Sequence, residues 1–300
     1  MRATLLALLA AAGFVAVDRI READHRHAVR VETGADMSES WDWRGTVASG
    51  KTLEIRSLSG SIRVEPASGS QVEVTAEKSG EGADPAGVRI AVVEHAGGVT
   101  ICAVYPGDGN ECRPGGGRMN VRGNAVEVDF VARVPAGVAV KAGSVSGDVS
   151  ASGVAASVDV SAVSGDVLVE DSRGDVTAQS VSGDVALRRV DGSDVSAHTV
   201  SGDVEFSGPI RSGGSYQLKT LSGDLTVGPE GVLNADVSVS TFSGELDTDF
   251  PVTLAPGSEG RARSFRFAAG RGGARLDLES FSGTIYLRRA AATSTRGEPK

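Results

Sequence analysis

The chain has 300 residues, of which 40% are apolar and 23% charged, so it can bury a core and is not an intrinsically disordered chain. Glycine is abundant at 40 residues and aromatic residues make up only 4%, so the core is expected to be aliphatic. A formal net charge of −9 excludes the broad basic surface that non-specific nucleic-acid binding needs, and no nucleic-acid partner is expected.

The first predicted element is an apolar run at residues 3–17, which follows Arg2 and precedes a polar stretch. The run is short for a membrane span and typical of the hydrophobic region of a signal peptide. Residues 1–17 are therefore predicted to be a signal peptide or an uncleaved anchor, which would be the only membrane contact. Residues 18–40 are predicted to be a linker. We expect an exported protein of the periplasm, the cell surface or the medium.

Residues 41–136 are predicted to form an N-terminal β region with a first lap and several cap strands. Alternating apolar residues indicate that first lap at 53–64 and further strands at 72–74, 88–93, 99–104 and 126–134. Cys102 and Cys112 flank a turn-rich loop, and in an exported chain this pattern favours a disulfide. Two free thiols in a cytosolic chain are the other interpretation.

A Val-Ser-Gly-Asp-Val motif organises the rest of the chain. Its copies begin at residues 145, 163, 181 and 200, and variants begin at 221, 242 and 281. Apolar residues alternate with period two on both sides of each Ser-Gly step, which predicts two short strands joined by a corner that needs glycine. The predicted corner glycines are Gly60, Gly147, Gly165, Gly183, Gly202, Gly223, Gly244 and Gly283.

These units predict an all-β fold, a β-solenoid (β-helix) with laps of 18–21 residues over residues 137–289, an N-terminal β insertion or cap, and a tail at 290–300. Laps are expected to stack in chain order. Columns of Val, Leu and Phe are expected to line the inside, including the residue before each Ser-Gly step, such as Val163, Val181, Val200 and Leu221.

Two N-terminal segments carry recognisable sequence patterns in addition to the repeat. They are Trp43-Arg44-Gly45 leading into Gly50-Lys51-Thr52-Leu53-Glu54-Ile55, and Val126-Glu127-Val128-Asp129-Phe130 before Val134-Pro135-Ala136-Gly137. Together with the Ser-Gly-Asp laps, they make residues 41–289 resemble a bacterial domain-of-unknown-function family described as "putative adhesins", related to the GIN head domain of autotransporter adhesins. The resemblance implies an exported, non-enzymatic β-solenoid with an adhesin-like role, and it supplies no catalytic residues.

One apparent chemical motif is a P-loop pattern at residues 45–52. A working P-loop opens a helix, whereas the residues after Thr52 alternate like a strand, so nucleotide binding is not expected. His95 and His198 have no identifiable nucleophile partner. No catalytic residue and no cofactor are predicted.

An acidic column is the unusual feature of the repeat. Asp148, Asp166, Asp184, Asp203 and Asp224, followed by Glu245, are expected to stack at about the 4.8 Å spacing of neighbouring strands. The favoured interpretation is that each carboxylate accepts backbone N–H groups at its own corner. A weaker hypothesis is that the five aspartates bind calcium along the column.

The predicted function is a structural or adhesin-like binding surface in the bacterial envelope, with an unidentified envelope or surface partner. Two alternatives stay open. A carbohydrate-active β-helix enzyme would need a cleft with paired carboxylates and aromatic platforms. A periplasmic partner-binding module would differ from an adhesin in that surface labels do not reach it in intact cells.

Overall fold

The computed structural model describes residues 37–80, 83–117, 119–121, 123, 125–251 and 263–289. Within these residues the chain is largely β-strand, and its helical content is one 3₁₀ turn at Pro85–Gly87. No helix in this part of the chain is long and apolar enough to cross a membrane. The predicted signal peptide or anchor, residues 18–36 of the predicted linker and the predicted tail lie outside the described residues.

The strands are numbered in chain order. The N-terminal region contains β1 (Met37–Gly45), β2 (Thr52–Arg56), β3 (Ile62–Pro66), β4 (Val72–Gly80), β5 (Arg89–His95), β6 (Gly98–Val104) and β7 (Val126–Val134). The central laps contain β8 (Ala139–Ser146), β9 (Val149–Ser152), β10 (Val158–Ser164), β11 (Val167–Glu170), β12 (Val176–Gln179), β13 (Val185–Arg188), β14 (Asp194–Ser201) and β15 (Val204–Pro209). The last laps contain β16 (Ser215–Ser222), β17 (Leu225–Glu230), β18 (Ala235–Thr241), β19 (Leu246–Thr248), β20 (Arg263–Ala269), β21 (Ala274–Ser282) and β22 (Ile285–Leu287).

The strands form two sheets of 11 strands each. Sheet A has the order β1-β4-β7-β3-β9-β11-β13-β15-β17-β22-β19, and sheet B has the order β20-β18-β21-β16-β14-β12-β10-β8-β2-β6-β5. From β8 to β17 the chain alternates between the sheets, so each lap passes once through each of them. Parallel pairing stacks equivalent residues, as in Val158 with Val140 on one side and Val176 on the other. The predicted β-solenoid is confirmed.

The core lies between the inner faces of the two sheets. In sheet B, Val160 is fully buried. In sheet A, one inward column is fully buried and consists of Val169, Leu187, Phe206 and Val227. Residues two apart in a strand share a face, so the period-two pattern supplies these inward columns. Full burial of each such side chain contributes about 1.5–3 kcal/mol.

The residue before each Ser-Gly step does not line the inside, so the prediction made for Val163, Val181, Val200 and Leu221 is wrong. Val163, Val181 and Leu221 are 44%, 46% and 49% exposed, and Val200 is half-buried. The physical reason is strand parity. In β10 the buried Ala162 takes the inward position, so its neighbour Val163 points outward.

Small or hydroxylated residues fill the inward position next to the corner. Ser180 Oγ donates a hydrogen bond to the carbonyl oxygen of Gly165 at 2.9 Å, and Thr199 Oγ1 donates to that of Gly183 at 2.9 Å. Each bond runs to the corner of the preceding lap and satisfies a backbone carbonyl there. The sequence therefore uses Ser and Thr at this position to bind one corner to the next.

Seven of the eight predicted corner glycines have positive φ, and Gly244 is the exception. The Gly244 N–H donates to Thr241 Oγ1 at 2.9 Å. Gly183, with φ +154°, shows why the other corners need glycine, because a Cβ there would collide with the carbonyl oxygen of Gly165 in the lap below. Glycine is therefore required at these corners for two reasons, namely the positive φ and the close approach of the neighbouring lap.

The last laps do not stack in chain order, which corrects the prediction. β21 pairs with β16 through Leu276 and Tyr216, and its other side pairs with β18 through Leu276 and Val237. In sheet A, β22 likewise lies between β17 and β19. The lap of β21 and β22 is therefore inserted between two laps that precede it in sequence.

The N-terminal strands extend both sheets at one end of the solenoid. β2 and β3 pair in parallel with β8 and β9, and β6 and β7 pair in parallel with β2 and β3. β4 and β1 follow β7 in sheet A, and β5 follows β6 in sheet B, all by antiparallel pairing. β1 begins within the segment predicted as a linker.

Candidate binding surface

A row of outward-facing apolar side chains follows the corner edge of sheet B. It is termed the apolar stripe and consists, in the order of the stacked strands, of Val145, Val163, Val181, Val200, Leu221, Phe281 and Phe242. Six of these side chains are 44–49% exposed. Scattered exposed apolar residues are ordinary, but a continuous row in register is a candidate interaction surface.

The register of the strands makes the stripe continuous. Ser146 pairs with Ser164 beside the first two members, and Ser222 pairs with Ser282 beside Leu221. At one end Phe242 and Phe281 stack with ring centroids 4.7 Å apart and an interplanar angle of 2°. The stripe therefore runs from aliphatic side chains to a stacked aromatic pair.

A second row, the acidic ladder, lies three residues further along each lap, around the corner. It consists of Asp148, Asp166, Asp184, Asp203 and Asp224. Oδ1 of each of the first four accepts the backbone N–H of the next ladder residue at 2.8 Å, and Asp224 Oδ1 accepts that of Thr284 at 2.7 Å. The bonds therefore come from the neighbouring lap, whereas the sequence analysis placed them within one corner.

The ladder carries negative charge without neutralising partners. Among the described residues, none of its five carboxylates lies within ion-pair distance of a cationic side chain, whereas some acids on or next to the outer face of sheet A are paired. Asp171 lies 2.6 Å from Arg189, and Glu205 lies 2.9 Å from Arg188. The apolar stripe is thus flanked on its corner side by uncompensated negative charge.

The weak calcium hypothesis concerns these same five aspartates. Across the part of the chain that the structure describes, no three His, Cys, Asp or Glu side chains are placed to hold a metal ion together. Calcium takes six to eight oxygen ligands. The ladder offers one carboxylate per lap, with one oxygen of each already bonded to an amide, and not a convergent set.

A buried carboxylate, Glu54 on β2, lies beneath the β6–β7 loop and is 4% exposed. Its Oε1 accepts a hydrogen bond from Arg56 Nε at 2.7 Å, and its Oε2 accepts from Thr100 Oγ1 and the Gly115 N–H, both at 2.9 Å. Burial acts to raise the pKa of Glu54, but the bond from Gly115 and the bonds from Arg56 and Thr100 outweigh it and hold the pKa below its usual value.

A disulfide joins Cys102 on β6 to Cys112 in the same loop, with Cα atoms 5.7 Å apart. Cys102 is buried beside Ala91, and Cys112 packs against this small apolar cluster. The covalent link holds the loop against the outer face of sheet B, where Gly115 reaches Glu54. The predicted cysteine pair and the buried carboxylate therefore act on one loop and have a structural role.

The polar groups that resemble a catalytic set also have structural roles. His95 Nε2 lies 3.1 Å from Thr100 Oγ1, which donates to Glu54. In a catalytic triad the histidine lies between the hydroxyl and the carboxylate, whereas here the threonine does and is fully buried. His198 is exposed on the outer face of sheet B. Residues 45–52 join two strands, so the P-loop pattern lacks the helix N-terminus on which a P-loop holds phosphate.

An open depression of about 400 Å³ lies over β1, β4 and β7. It is lined in part by Asp42, Trp43, Arg44, Glu73 and Arg133. Arg44 Nη2 lies 2.8 Å from Glu73 Oε1, so this carboxylate is neutralised. A glycoside hydrolase needs two carboxyl groups free to act as acid and base or nucleophile, whereas of the two acids that line this depression Glu73 is held by Arg44 and Arg133.

The apolar pattern of the sequence predicts core positions for the stripe residues, so this surface was not predicted. The spacing of the apolar residues within each strand does indicate the outward position. Val160 and Val163 are three positions apart, and an odd step within a strand changes the face to which a side chain points. The five aspartates stack in a column as predicted. Glu245 does not follow Asp224 as predicted, because Thr284 of the inserted lap takes the next place and donates its N–H to Asp224.

Comparison with known proteins identifies one family. A family model described as Toastrack DUF4097 matches residues 120–288, which is more than half of the chain. None of the curated proteins compared with the chain matches it significantly.

Three solved structures align with most of the chain. A "putative adhesin" from Bacteroides fragilis has 14% identity and a TM-score of 0.43, covering 84% of this chain and 97% of that one. A "putative cell adhesion protein" from Clostridium sporogenes has 11% identity and a TM-score of 0.34, covering 84% and 100%. A "putative adhesin" from Parabacteroides distasonis has 12% identity and a TM-score of 0.33, covering 83% and 97%. At these low TM-scores the likenesses carry no functional argument.

Proposed function

The chain belongs to the Toastrack DUF4097 family, and from that premise we propose that it is an exported, non-enzymatic β-solenoid that serves as an adhesin-like binding surface in the bacterial envelope. The observation that carries the proposal is the apolar stripe, because seven laps hold a Val, Leu or Phe outward at one position. Exposure of apolar area to water is unfavourable, and a bound partner removes it. A relation to the GIN head domain is part of the proposal.

Export is supported by two features of the chain. The apolar run at residues 3–17 has the length of a signal-peptide hydrophobic region. The disulfide between Cys102 and Cys112 is of a kind that persists in oxidising compartments. Both fit a protein that works outside the cytoplasm.

A non-enzymatic role is supported by the use of the buried polar groups. Tyr216 Oη donates to the carbonyl oxygen of Gly192 at 2.8 Å and accepts the Arg211 N–H at 2.8 Å, and burial raises its pKa. Glu54 is likewise occupied by three donors. These groups fix loops and corners to the sheets, so they are not free to transfer protons.

The proposal can be tested with a photo-crosslinking amino acid at Val181, in the centre of the stripe, in the bacterium that makes the protein. The matched control places it at Thr226, which is exposed on the outer face of sheet A. We expect the protein in the envelope fraction, with covalent adducts from position 181 and none from 226. Cytosolic protein, or equal adducts from both positions, would contradict the proposal.

Two further measurements separate the alternatives. Surface labelling of intact cells that fails to reach the protein would favour the periplasmic partner-binding module over an adhesin-like surface protein. Release of reducing ends from uronate-containing or other polysaccharides by the purified protein would favour the carbohydrate-active enzyme. We expect surface labelling and no release of reducing ends.

A further inference from the structure

We propose that the apolar stripe and the acidic ladder together bind an amphipathic helix that carries Lys or Arg along one flank of its apolar face. The inference rests on the proposed function and specifies the chemistry of the partner. It follows from the spacing of the stripe, from the state of the backbone beside it and from the charge on its corner side.

The spacing of the stripe favours a helix over an extended strand. Its members repeat once per lap, at about 4.8 Å, so the seven span about 29 Å. A helix presents a side chain to one face about once per 5.4 Å turn, whereas an extended strand presents one every 6.6–6.8 Å. About 20 helical residues cover the full stripe.

The backbone beside the stripe also favours a helix. A strand that binds by edge addition needs free N–H and C=O groups. Here they are already used between laps, as in the Ser182 N–H to the Val163 carbonyl and the Ser201 N–H to the Val181 carbonyl, both 2.8–2.9 Å. A helix satisfies its own backbone and needs only side-chain contacts from this surface.

The charges beside the stripe determine which flank of the partner helix should be basic. All five ladder carboxylates lack an ion pair among the described residues, and they lie on the corner side of the stripe only. The other side is the outer face of sheet B, where Gln179 and His198 are followed by Lys219, which is paired with Glu279 at 3.1 Å. A partner with basic residues on one flank therefore matches both sides of the stripe.

The same charges disfavour two other occupants. A second copy packed stripe to stripe brings the two ladders together, or lays each ladder over the column of Gln179, His198 and Lys219, where Lys219 is already paired. Either arrangement buries carboxylates without counter-charges. An anionic lipid surface is repelled by the ladder in the same way.

The test uses the full-length chain and three dye-labelled 20-residue helical peptides in a fluorescence anisotropy titration. The probe peptide has Leu on one face and Lys on one flank; the first control replaces Lys by Glu, and the second replaces Leu by Ser. We expect only the probe peptide to bind at low salt. Equal binding of the Glu peptide would overturn the proposal.

Protein variants separate the contribution of the ladder charges from that of the apolar stripe. D166N/D184N/D203N keeps an acceptor oxygen for each amide while removing three charges, and V163S/V181S/L221S removes apolar area. We expect about fivefold weaker binding or more for the first, with loss of most of the salt dependence, and about tenfold or more for the second. The control D194N/E230Q/D236N removes three exposed charges away from the ladder and should bind like the wild type. Equal weakening by the control would overturn the proposal.

Two outcomes would identify the other occupants and overturn the proposal. One is stripe-dependent binding to phosphatidylglycerol vesicles without peptide binding, and the other is a dimer that V163S/V181S/L221S dissociates. Crosslinks from position 181 without any peptide binding would support the proposed function and contradict only the helix inference. If the stripe variant unfolds, the charge variant still decides the question, because asparagine preserves the ladder hydrogen bonds.

Discussion

Asp184 Oδ1 accepts a hydrogen bond of 2.8 Å from the backbone N–H of Asp203 in the next lap. The same bond links Asp166 to Asp184 and Asp203 to Asp224. Each ladder carboxylate thus closes the corner of its neighbour while its charge stays near solvent. Mutual repulsion of about 0.9 kcal/mol between unit charges 4.8 Å apart in water is offset by hydrogen bonds of about 1.5–3 kcal/mol each.

We predict that Asp184→Ala lowers the free energy of unfolding by about 1–2 kcal/mol, because the Asp203 N–H loses its acceptor. Asp184→Asn keeps an acceptor and removes a like charge, so its stability should equal or slightly exceed that of the wild type at low salt. Urea unfolding at low and high salt measures both. An alanine variant as stable as the asparagine variant would show that the bond contributes nothing.

Gly183→Ala should destabilise the protein by about 2 kcal/mol or more. The new Cβ collides with the carbonyl of Gly165, and φ is +154°. The matched control is Gly228→Ala in β17, where the nearest atom to a Cβ is 3.8 Å away and φ is ordinary. The control should change stability by less than about 0.5 kcal/mol. Thermal unfolding of both variants checks the difference.

Leu221→Ala and Leu225→Ala test which side of the corner is core. Leu225 is fully buried, so its truncation should cost about 2–5 kcal/mol, whereas Leu221 is 49% exposed and should cost less than about 1 kcal/mol. Denaturant midpoints at equal m-value measure the costs. A larger cost for Leu221→Ala than for Leu225→Ala would indicate that the stripe residues belong to the core.

The pH dependence of stability should contain a contribution from Glu54. Its pKa is lowered on folding from a usual 4.5, so the ionised carboxylate stabilises the folded state above that value. The contribution is lost as the pH falls through the lower pKa of the folded state. Glu54→Gln should therefore be less stable than the wild type at pH 7, and the gap should narrow by pH 3. Melting temperatures across this range are the measurement, and a constant gap would exclude the linkage.

Removing the disulfide should loosen one end of the solenoid and leave the laps intact. Cys102→Ser/Cys112→Ser should lower the free energy of unfolding by about 2–3 kcal/mol, because the closed loop is short. Hydrogen exchange should increase around Gly115 and Glu54 and stay unchanged at Val185. Faster exchange throughout the central laps would indicate that the loop supports the whole fold.

The sequence predicted the solenoid because its repeat is local. Val-Ser-Gly-Asp-Val and its variants from residue 145 to 242 recur every 18–21 residues, and Gly183 and its equivalents mark each corner directly. The acidic ladder followed from the same spacing. Such features need only the preference of glycine for positive φ and the alternation of strands.

Two features were beyond a local pattern. The inward residue beside each corner is Ser, Ala or Thr, so a search for apolar positions passed over Ala162 and chose Val163. The order of the last laps depends on the pairing of β21 with both β16 and β18, and Leu276 and Val237 fit the same apolar column equally well by sequence. Pairing partners decide such a choice, and hydropathy does not encode them.

The most direct measurement is the maleimide labelling rate of single cysteines placed on either side of three corners in the native protein. V163C, V181C and L221C should react rapidly, whereas V167C, V185C and L225C should react at least about 100-fold more slowly, because they need an opening of the structure. The native cysteines are joined in a disulfide and do not compete. Protection at 163, 181 and 221 with rapid labelling at 167, 185 and 225 would contradict the outward stripe and the binding surface derived from it.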